Sequence, residues 1–351
     1  MNEWLVHSWR KRGFANYLLW PLSQIYRLLS AFHRTLYRVG ILETERCRAP
    51  VIVVGNVVAG GAGKTPLVIA LAQHLKRRGL SVGIVSRGYG RQGKSCVEVT
   101  GSTPVSESGD EPALVIRSVS APFFVANRRV DAVQALLAKY PATQVIISDD
   151  GLQHHALARD IEITVFDDRG VGNGWLLPAG PLRESYNPTA ARQPQSGLVL
   201  HTGQSPTFGG YVSTRRLADH ALDANGHRVA LSGLQGHPVT ALAAIANPLI
   251  FFDMLRARGL TVDKAISLPD HFDFSGYNWP VSADTVVLCT EKDAVKLFAI
   301  PHFSECRLLA VPLEFAPESA FFEALDAQLS PLLQQSSELP STHNHEQPNG
   351  H

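Results

Sequence analysis

The chain has 351 residues, of which 45% are hydrophobic and 18% are charged, and its formal net charge is +1. This length predicts two domains, the apolar content excludes a disordered protein, and the balanced charge excludes a protein drawn to nucleic acid by its overall field. Four cysteines without a metal-ligand spacing fit a reduced, cytosolic compartment.

Residues 1–48 are predicted to form an amphipathic helical segment that lies in a membrane interface. Its first 40 residues interleave six basic side chains and one acid with Trp, Tyr, Phe and Leu. Aromatic rings at headgroup depth and cations that face anionic lipid suit this position, and Pro21 is expected to kink or split the helix. The alternative is a helix that packs an apolar stripe on the core. Because basic residues break the apolar stretches of this segment, a cleaved signal is not expected. No stretch reaches the roughly 18 uninterrupted apolar residues that are typical of a spanning helix, and whether the helix spans or lies on the membrane is left open.

Residues 49–228 are predicted to form a doubly wound α/β domain with a parallel sheet and a phosphate loop (P-loop). Short β-branched runs alternate with helical stretches, as in strands that are joined by crossover helices. The predicted strands are 51–54, 81–86, 144–148, 161–166 and 197–201, and the predicted helices are 64–78 and 130–139.

A second, smaller α/β domain is predicted over residues 229–330. Its signals are a strand at 229–231, a helix at 248–258 and an apolar strand at 285–289. Residues 331–351 are polar, rich in Ser, Pro, Asn and His, and without periodicity. We therefore expect a disordered tail there.

A glycine-rich segment follows the first predicted strand and opens the first predicted helix. It consists of Gly60, Gly61, Ala62, Gly63, Lys64 and Thr65. Glycines let successive N–H groups face phosphate oxygens, Lys64 adds a charge for the terminal phosphates, and the Thr65 hydroxyl can bind Mg²⁺. Val58 replaces the usual first glycine, so the loop is a variant. We expect it to bind the phosphates of a nucleotide together with Mg²⁺ rather than to be an ordinary turn.

Two acids, Asp149 and Asp150, follow the predicted strand 144–148. A phosphate loop needs an acid at the end of a neighbouring strand to hold or orient the metal. An Asp pair after a strand is otherwise a common helix cap or turn. The loop upstream favours the metal-binding interpretation but does not decide which of the two acids binds Mg²⁺.

Further motifs follow one another along the chain. They are Gly55-Asn56, Ser86-Arg87-Gly88-Tyr89-Gly90, Gly109-Asp110-Glu111-Pro112, Asp149-Asp150-Gly151-Leu152-Gln153-His154, Gly172-Asn173-Gly174-Trp175, Pro178-Ala179-Gly180-Pro181-Leu182-Arg183-Glu184, Pro269-Asp270-His271 and Thr290-Glu291-Lys292-Asp293-Ala294-Val295-Lys296. With the glycine-rich loop, they make the chain resemble the tetraacyldisaccharide 4′-kinase family of lipid A biosynthesis over residues 1 to about 315.

The resemblance implies phosphoryl transfer from ATP to the 4′-hydroxyl of tetraacyldisaccharide 1-phosphate, which gives lipid IVA at the cytoplasmic face of the bacterial inner membrane. Withdrawing a substrate with four acyl chains from a bilayer costs about 0.8 kcal/mol per CH₂, so the enzyme is expected to work at the interface as a peripheral or monotopic protein. The implied partners are this lipid and the membrane, with no nucleic acid and no protein partner.

The resemblance also implies roles for individual residues. An Asp and a His form a catalytic pair in the family, and the matching positions are Asp110 and His271; which of them accepts the proton is left open. Glu111 joins Thr65 and the two strand-end acids as a candidate for binding Mg²⁺ or its waters. The candidates for substrate binding are Asn56, Arg129, Gln153, His154, Arg183 and Glu184.

Without the resemblance, the same residues have simpler interpretations. Residues 110–112 are typical of a helix start, and His271 is typical of an ordinary loop or core histidine. Arg183 and Glu184 alone would be a solvated surface pair. Segment 290–293 has no predicted role beyond a nucleotide contact across the gap between the domains.

Two other functions are compatible with a phosphate loop. Membrane-associated ATPases that position cargo carry a similar loop, but their signature lysine falls at position 59, where this chain has Ala59. A soluble small-molecule kinase would keep the loop and pack its N-terminal helix on the core. A dependence of ATP turnover on the lipid acceptor separates the first alternative from a lipid kinase.

Overall fold

The structure is a computed structural model and describes residues 8–187, 197–277, 285–300 and 306–338. The chain forms an α/β fold with two mixed, largely parallel sheets and a long N-terminal helix.

The N-terminal helix α1 (Phe14–Arg38) is continuous through Pro21, so the predicted split is not found. Its polar residues Asn16 and Ser23 face the protein and are each 1% exposed. The opposite face is apolar and open, with exposed side chains at Phe14, Tyr17, Leu18, Trp20, Leu22, Ile25, Leu28, Leu29 and Phe32. A helix that packs an apolar stripe on the core would have the reverse arrangement. Among the described helices, none is long and apolar enough to cross a bilayer.

The first sheet has nine strands in the order β15-β8-β7-β6-β1-β5-β2-β4-β3. Its members are β1 (Val51–Gly55), β2 (Val82–Ser86), β3 (Val97–Val99), β4 (Phe123–Val125), β5 (Val145–Asp149), β6 (Ile161–Phe166), β7 (Leu198–His201), β8 (Tyr211–Leu217) and β15 (Leu313–Pro317). Pairing is parallel from β8 to β4 and antiparallel at the two edge strands, β15 and β3.

Helices cover both faces of this sheet: α2 (Lys64–Arg77), α3 (Val105–Ser108), α4 (Asp110–Ser118), α5 (Arg129–Lys139) and the C-terminal α8 (Ser319–Glu338). Alternate residues of a strand point to opposite faces. Ile52 and Val54 of β1 accordingly join the core with α2 and α8, whereas Val51 and Val53 join the core with α5. The predicted strands and helices of this part of the chain lie at their expected positions.

The strand order of the first sheet reverses at β1. This strand lies between β5 and β6, so the chain crosses to one side from β1 to β2 and back over β1 from β5 to β6. In open α/β sheets, ligands bind beyond the carboxyl ends of the strands at such a reversal. The glycine-rich loop and the two strand-end acids both lie at this edge.

The second sheet has six strands in the order β10-β9-β14-β13-β11-β12. They are β9 (His220–Leu222), β10 (Arg228–Ala230), β11 (Pro238–Ala243), β12 (Thr261–Ser267), β13 (Val286–Thr290) and β14 (Arg307–Val311). A 3₁₀ turn (Leu231–Leu234) and the helices α6 (Pro248–Ala257) and α7 (Glu291–Leu297) complete this part of the chain. Its core is separate and contains Phe251, Phe252 and Leu288.

Strand pairing differs from the predicted domain boundaries at the C-terminal side. After β14 the chain returns to the first sheet, where β15 pairs with β8 and α8 buries Phe321, Leu325 and Leu329. The sequence did not show this return because only Pro312 separates β14 from β15. The predicted disorder from residue 331 is wrong over 331–338, which continue α8; residues 339–351 lie outside the described part of the chain.

Candidate active site

The glycine-rich loop joins the end of β1 to the start of α2. Gly60 and Gly63 have φ angles of 98° and 79°, a region that side chains rarely adopt. Position 58 does not need glycine, because Val58 is buried and pairs with Leu182 in an antiparallel bridge. The replacement of the first glycine therefore leaves the loop conformation intact.

Two arginines and a threonine hold the carbonyl groups of this loop. Arg169 donates to the carbonyls of Ala59 at 3.1 Å and Gly61 at 2.8 Å. The carbonyl of Ala62 accepts bonds from the Thr202 hydroxyl at 2.9 Å and from Arg215 at 3.4 Å. In contrast, the N–H groups of residues 60–63 donate to no group that the structure describes. The loop thus presents unpaired donors, which is the arrangement that binds anions.

Lys64 connects this loop to the strand-end acids. Its Nζ lies 3.0 Å from Asn56 Oδ1 and 3.2 Å from Asp150 Oδ1. Asn56 is fully buried, and its amide donates to the carbonyls of Val58 at 2.6 Å and Gly60 at 3.0 Å. Asn56 therefore supports the conformation of the loop.

The two strand-end acids have different protonation tendencies. Burial, with Glu111 and Asp150 nearby, raises the pKa of Asp149 to about 7, and its Oδ1 is buried without a partner among the described groups. Burial also acts to raise the pKa of Asp150, but Lys64, Arg183 and Arg129 outweigh it and lower the value. The negative charge of Asp150 is thus balanced by three neighbouring cations, whereas one carboxylate oxygen of Asp149 has no partner among the described groups.

Arg129 and His154 support the turn that carries these acids. The Arg129 guanidinium is buried and donates to the carbonyls of Asp149 at 3.1 Å and Asp150 at 2.6 Å. Its backbone N–H, at the start of α5, donates to His154 Nε2 at 3.2 Å. Burial, followed by the charge of Arg129, lowers the pKa of His154 to about 4, which keeps Nε2 available as an acceptor. Both side chains point inward and position the acids.

Gln153, Arg183 and Glu184 lie between the acids and α1. Gln153 donates to Glu184 Oε1 at 2.8 Å, and Arg34 of α1 lies 3.2 Å from Glu184 Oε2. Arg183 Nη1 lies 3.7 Å from Asp150 Oδ1 and is partly exposed. Of the six predicted substrate-binding residues, these three lie nearest to α1, and sequence reasoning missed their partner Arg34.

Asp110 and His271, 161 positions apart, meet across the two sheets. His271 Nδ1 lies 3.2 Å from Asp110 Oδ2, and Lys296 Nζ lies 2.6 Å from the same oxygen. Burial acts to raise the pKa of Asp110, but the hydrogen bonds from His271 and Lys296 outweigh it and lower the value. Both contacts fall on Oδ2, so Oδ1 has no partner within the described chain.

Residues 290–293, at the start of α7, fix the position of this helix against β11. Thr290 caps the helix by accepting from the N–H of Asp293 at 3.2 Å, and its hydroxyl donates to Asp293 Oδ2 at 2.6 Å. The same carboxylate accepts from the N–H of Ala244 at 3.0 Å, which ties α7 to β11. These bonds hold α7 so that Lys292 and Lys296 lie on the side of Asp110. Both lysines belong to one of the quoted motifs, but the sequence predicted no contact for either of them.

Comparison with known proteins agrees with the sequence resemblance. The model of the family described as tetraacyldisaccharide-1-P 4′-kinase matches residues 15–330. A tetraacyldisaccharide 4′-kinase from Polaromonas naphthalenivorans is 61% identical over 346 residues, 99% of each chain, and one from Acidovorax ebreus is 52% identical over 334 residues, 95% of this chain and 96% of that one.

A solved structure shares the fold as well. The crystal structure described as the apo form of LpxK from Aquifex aeolicus in complex with ATP has a TM-score of 0.76 and 29% identity, and the match covers 91% of this chain and 100% of that one. The family match spans both sheets, every motif and the meeting of Asp110 with His271. The chain therefore belongs to the tetraacyldisaccharide-1-P 4′-kinase family.

Proposed function

We propose that the chain transfers the γ-phosphate of ATP to the 4′-hydroxyl of tetraacyldisaccharide 1-phosphate, with Asp110 and His271 as its catalytic pair and lipid IVA as its product. Kinase activity in lipid A biosynthesis follows from its family and its relatives. The contact of Asp110, at the start of α4, with His271, in the turn after β12, is the observation that carries the catalytic assignment; their side chains are 3.2 Å apart.

The glycine-rich loop is the proposed phosphate site. The N–H groups of residues 60–63 have no partner among the described groups, and the helix dipole of α2 adds positive potential at its N-terminus. Lys64, held by Asn56 and Asp150, supplies a charge for the terminal phosphates. This arrangement neutralises charge in the phosphoryl group during transfer, which is the main requirement of the reaction.

The residues present fit a magnesium ion. Within the described residues no group of three His, Cys, Asp or Glu side chains converges to hold a metal unaided. Mg²⁺ in kinases, however, is held by one or two carboxylates together with substrate phosphates. Asp149, with its buried unpaired oxygen, Glu111 beside it and the Thr65 hydroxyl are oxygen donors of this kind. When bound, the ion would neutralise charge on the phosphates of the nucleotide.

Asp110 is the proposed proton acceptor. Its unpaired Oδ1 can take the proton from the acceptor hydroxyl as the acceptor oxygen bonds to the γ-phosphorus and the bond to the bridging oxygen of ADP breaks. His271 donates through Nδ1 to Oδ2 and so holds the carboxylate in one orientation. Asp110 is therefore a carboxylate at neutral pH, the form that can accept a proton.

The acceptor headgroup is proposed to lie beside Arg183, Glu184 and Gln153. Arg183 is partly exposed next to Asp150, and arginine recognises phosphate groups well. Asn56, Arg129 and His154 bond to backbone groups of the loop, the acid turn and the start of α5. Their expected contact with the acceptor stays a prediction.

The open face of α1 is proposed to rest on the cytoplasmic face of the inner membrane. Nine large apolar side chains of α1 are exposed while Asn16 and Ser23 bond to the carbonyls of Ala179 and Leu176 at 2.9 Å each. Such a helix stabilises binding to an interface by burying its apolar face among acyl chains. The chain would then be peripheral or monotopic and would meet its lipid acceptor without extracting it.

Transfer of labelled γ-phosphate from Mg-ATP to tetraacyldisaccharide 1-phosphate in detergent micelles tests the proposal. We expect product that requires the acceptor, and Asp110→Ala should lower kcat by about 10²- to 10⁴-fold with little change in the KM for ATP. Normal turnover by Asp110→Ala would refute the catalytic pair. ATP hydrolysis that ignores the lipid would indicate a cargo-positioning ATPase instead.

A further inference from the structure

Two lysines of α7 lie against the catalytic pair and have no role in the mechanism described above. They are four residues apart, so they share one face of the helix. Lys296 Nζ lies 2.6 Å from Asp110 Oδ2 and donates to the carbonyl of Phe272 at 3.0 Å. Lys296 thus bridges the first residue of α4 and the backbone that follows His271.

Lys292 makes the matching bridge one turn earlier. Its Nζ lies 3.0 Å from Asp270 Oδ1, 3.4 Å from His271 Nε2 and 3.7 Å from Glu111 Oε1. The charges of Glu111 and Asp270 raise the pKa of Lys292 despite its burial, so the ammonium stays charged. Each lysine therefore contacts one acid at the start of α4 and one residue that flanks His271.

We propose that Lys296, with Lys292, is a positioning residue that holds His271 and Asp110 in their reactive arrangement across the two sheets. This inference rests on the proposed role of the Asp110–His271 pair. Neither lysine needs to contact ATP or the acceptor for this role. The function is to fix where the two catalytic side chains lie relative to each other.

The backbone of His271 shows why such support is needed. Its φ angle is 62°, and among the described residues other than glycine only Asp150 also has a positive φ. A non-glycine residue in this region is strained and persists only when its surroundings enforce the conformation. Lys292 holds the residue before His271, and Lys296 holds the residue after it. Loss of either contact lets the imidazole relax away from Asp110.

The choice of oxygen on Asp110 gives Lys296 a second effect. His271 and Lys296 both bond to Oδ2, which leaves Oδ1 for the acceptor hydroxyl. Without Lys296, the carboxylate of Asp110 can rotate, so that Oδ2 instead of Oδ1 faces the acceptor hydroxyl. A misplacement of about 1 Å at a reacting group can lower a rate by about 10²-fold.

The experiment compares Lys296→Met, Lys296→Arg and Lys292→Met with the unchanged enzyme, alone and combined with Asp110→Asn. Lys264→Met is the matched control, because Lys264 is exposed on β12, away from these contacts. The lipid kinase assay gives kcat and the KM values for ATP and acceptor, and thermal unfolding shows whether each variant is folded. Should Lys296→Met fail to fold, Lys292→Met and Lys296→Arg carry the same comparison.

For a positioning role, Lys296→Met should lower kcat by about 10- to 100-fold while the KM for ATP changes less than about threefold. Lys296→Arg keeps a cation and should recover part of the loss. In the Asp110→Asn background, Lys296→Met should have almost no further effect, because residues that act as one unit are not additive.

Three outcomes would overturn this role. A raised KM for ATP with unchanged kcat would mean that Lys296 contacts the nucleotide. Independent, multiplying losses in the double variant would mean that it acts apart from Asp110. A normal kcat in Lys296→Met, together with a lowered kcat in Asp110→Asn, would refute the positioning role and leave the catalytic pair standing. A normal kcat in Asp110→Asn would refute the catalytic pair itself.

Discussion

The apolar face of α1 gives a prediction with a calculable magnitude. Leu18 and Leu29 are 72% and 63% exposed and lie on one side of the helix, so replacing both with Gln removes membrane contacts without disturbing the core. Full burial of a leucine side chain contributes about 1.5–3 kcal/mol, and about two-thirds of each side chain is open here. The double variant should therefore lose about 2–4 kcal/mol of membrane affinity, a weakening of about 30- to 700-fold.

Co-sedimentation with phosphatidylglycerol vesicles measures this loss directly. The control is Leu249→Gln, because Leu249 is 64% exposed on α6 and lies outside α1. The double variant should keep the melting temperature of the unchanged protein and its activity on detergent-dispersed acceptor. Unchanged vesicle binding would refute the interfacial role of α1. A large fall in melting temperature would show that the apolar face supports the fold instead.

The remaining predictions concern the glycine-rich loop and the acid turn. Lys64→Ala should lower kcat and raise the KM for ATP in the kinase assay, because its charge would contact the nucleotide in the ground state and the transition state. Gly63→Ala should impair ATP binding, measured by calorimetry, since φ is 79° and a Cβ would collide with the Arg215 guanidinium; normal affinity would show that the loop adapts. The pKa of His154 is about 4 in the folded chain and about 6.5 in the unfolded chain. Between about pH 4 and 6.5 the unfolded chain therefore binds more protons, so the free energy of unfolding falls as the pH drops from about 6.5 to about 4. The loss should be about 1–2 kcal/mol after solvent screening, and urea unfolding of His154→Gln should show a shallower pH dependence; identical slopes would refute this contribution.

The loop and the strand-end acids could be predicted because their geometry is local. A strand, a glycine-rich turn and a helix start within 15 residues leave few conformations, and Gly63 next to Lys64 needs no distant contact to define its position. Asp149 and Asp150 were expected at the same edge because parallel strands end there together. Their different protonation tendencies were not predictable, because these depend on Glu111, Lys64 and burial, which only the fold brings together.

The backbone contacts of Arg129 and His154 could not be predicted from residue type. An arginine near a phosphate site is a reasonable candidate for binding the ligand, and here Nε and Nη2 of Arg129 also donate to two backbone carbonyls of the acid turn. Nothing in the local sequence distinguishes these two uses of a guanidinium. The meeting of Asp110 and His271 likewise had no local signal, since it depends on α7 and the loop after β12 packing against α4.

The attachment of α1 explains how one enzyme brings a water-soluble and a membrane-bound substrate together. Its polar face bonds to residues 176–184, the same segment that carries Arg183 and Glu184. Glu184 accepts from Gln153, and Gln153 in turn donates to the carbonyl of Asn56 at 3.3 Å, behind the glycine-rich loop. The open apolar face of α1 is thus held at a fixed place relative to Lys64 and Asp150. A bilayer under this face would set the depth at which the acceptor headgroup meets the terminal phosphate of ATP. Under the proposed membrane contact, α1 would orient the acceptor in addition to anchoring the chain.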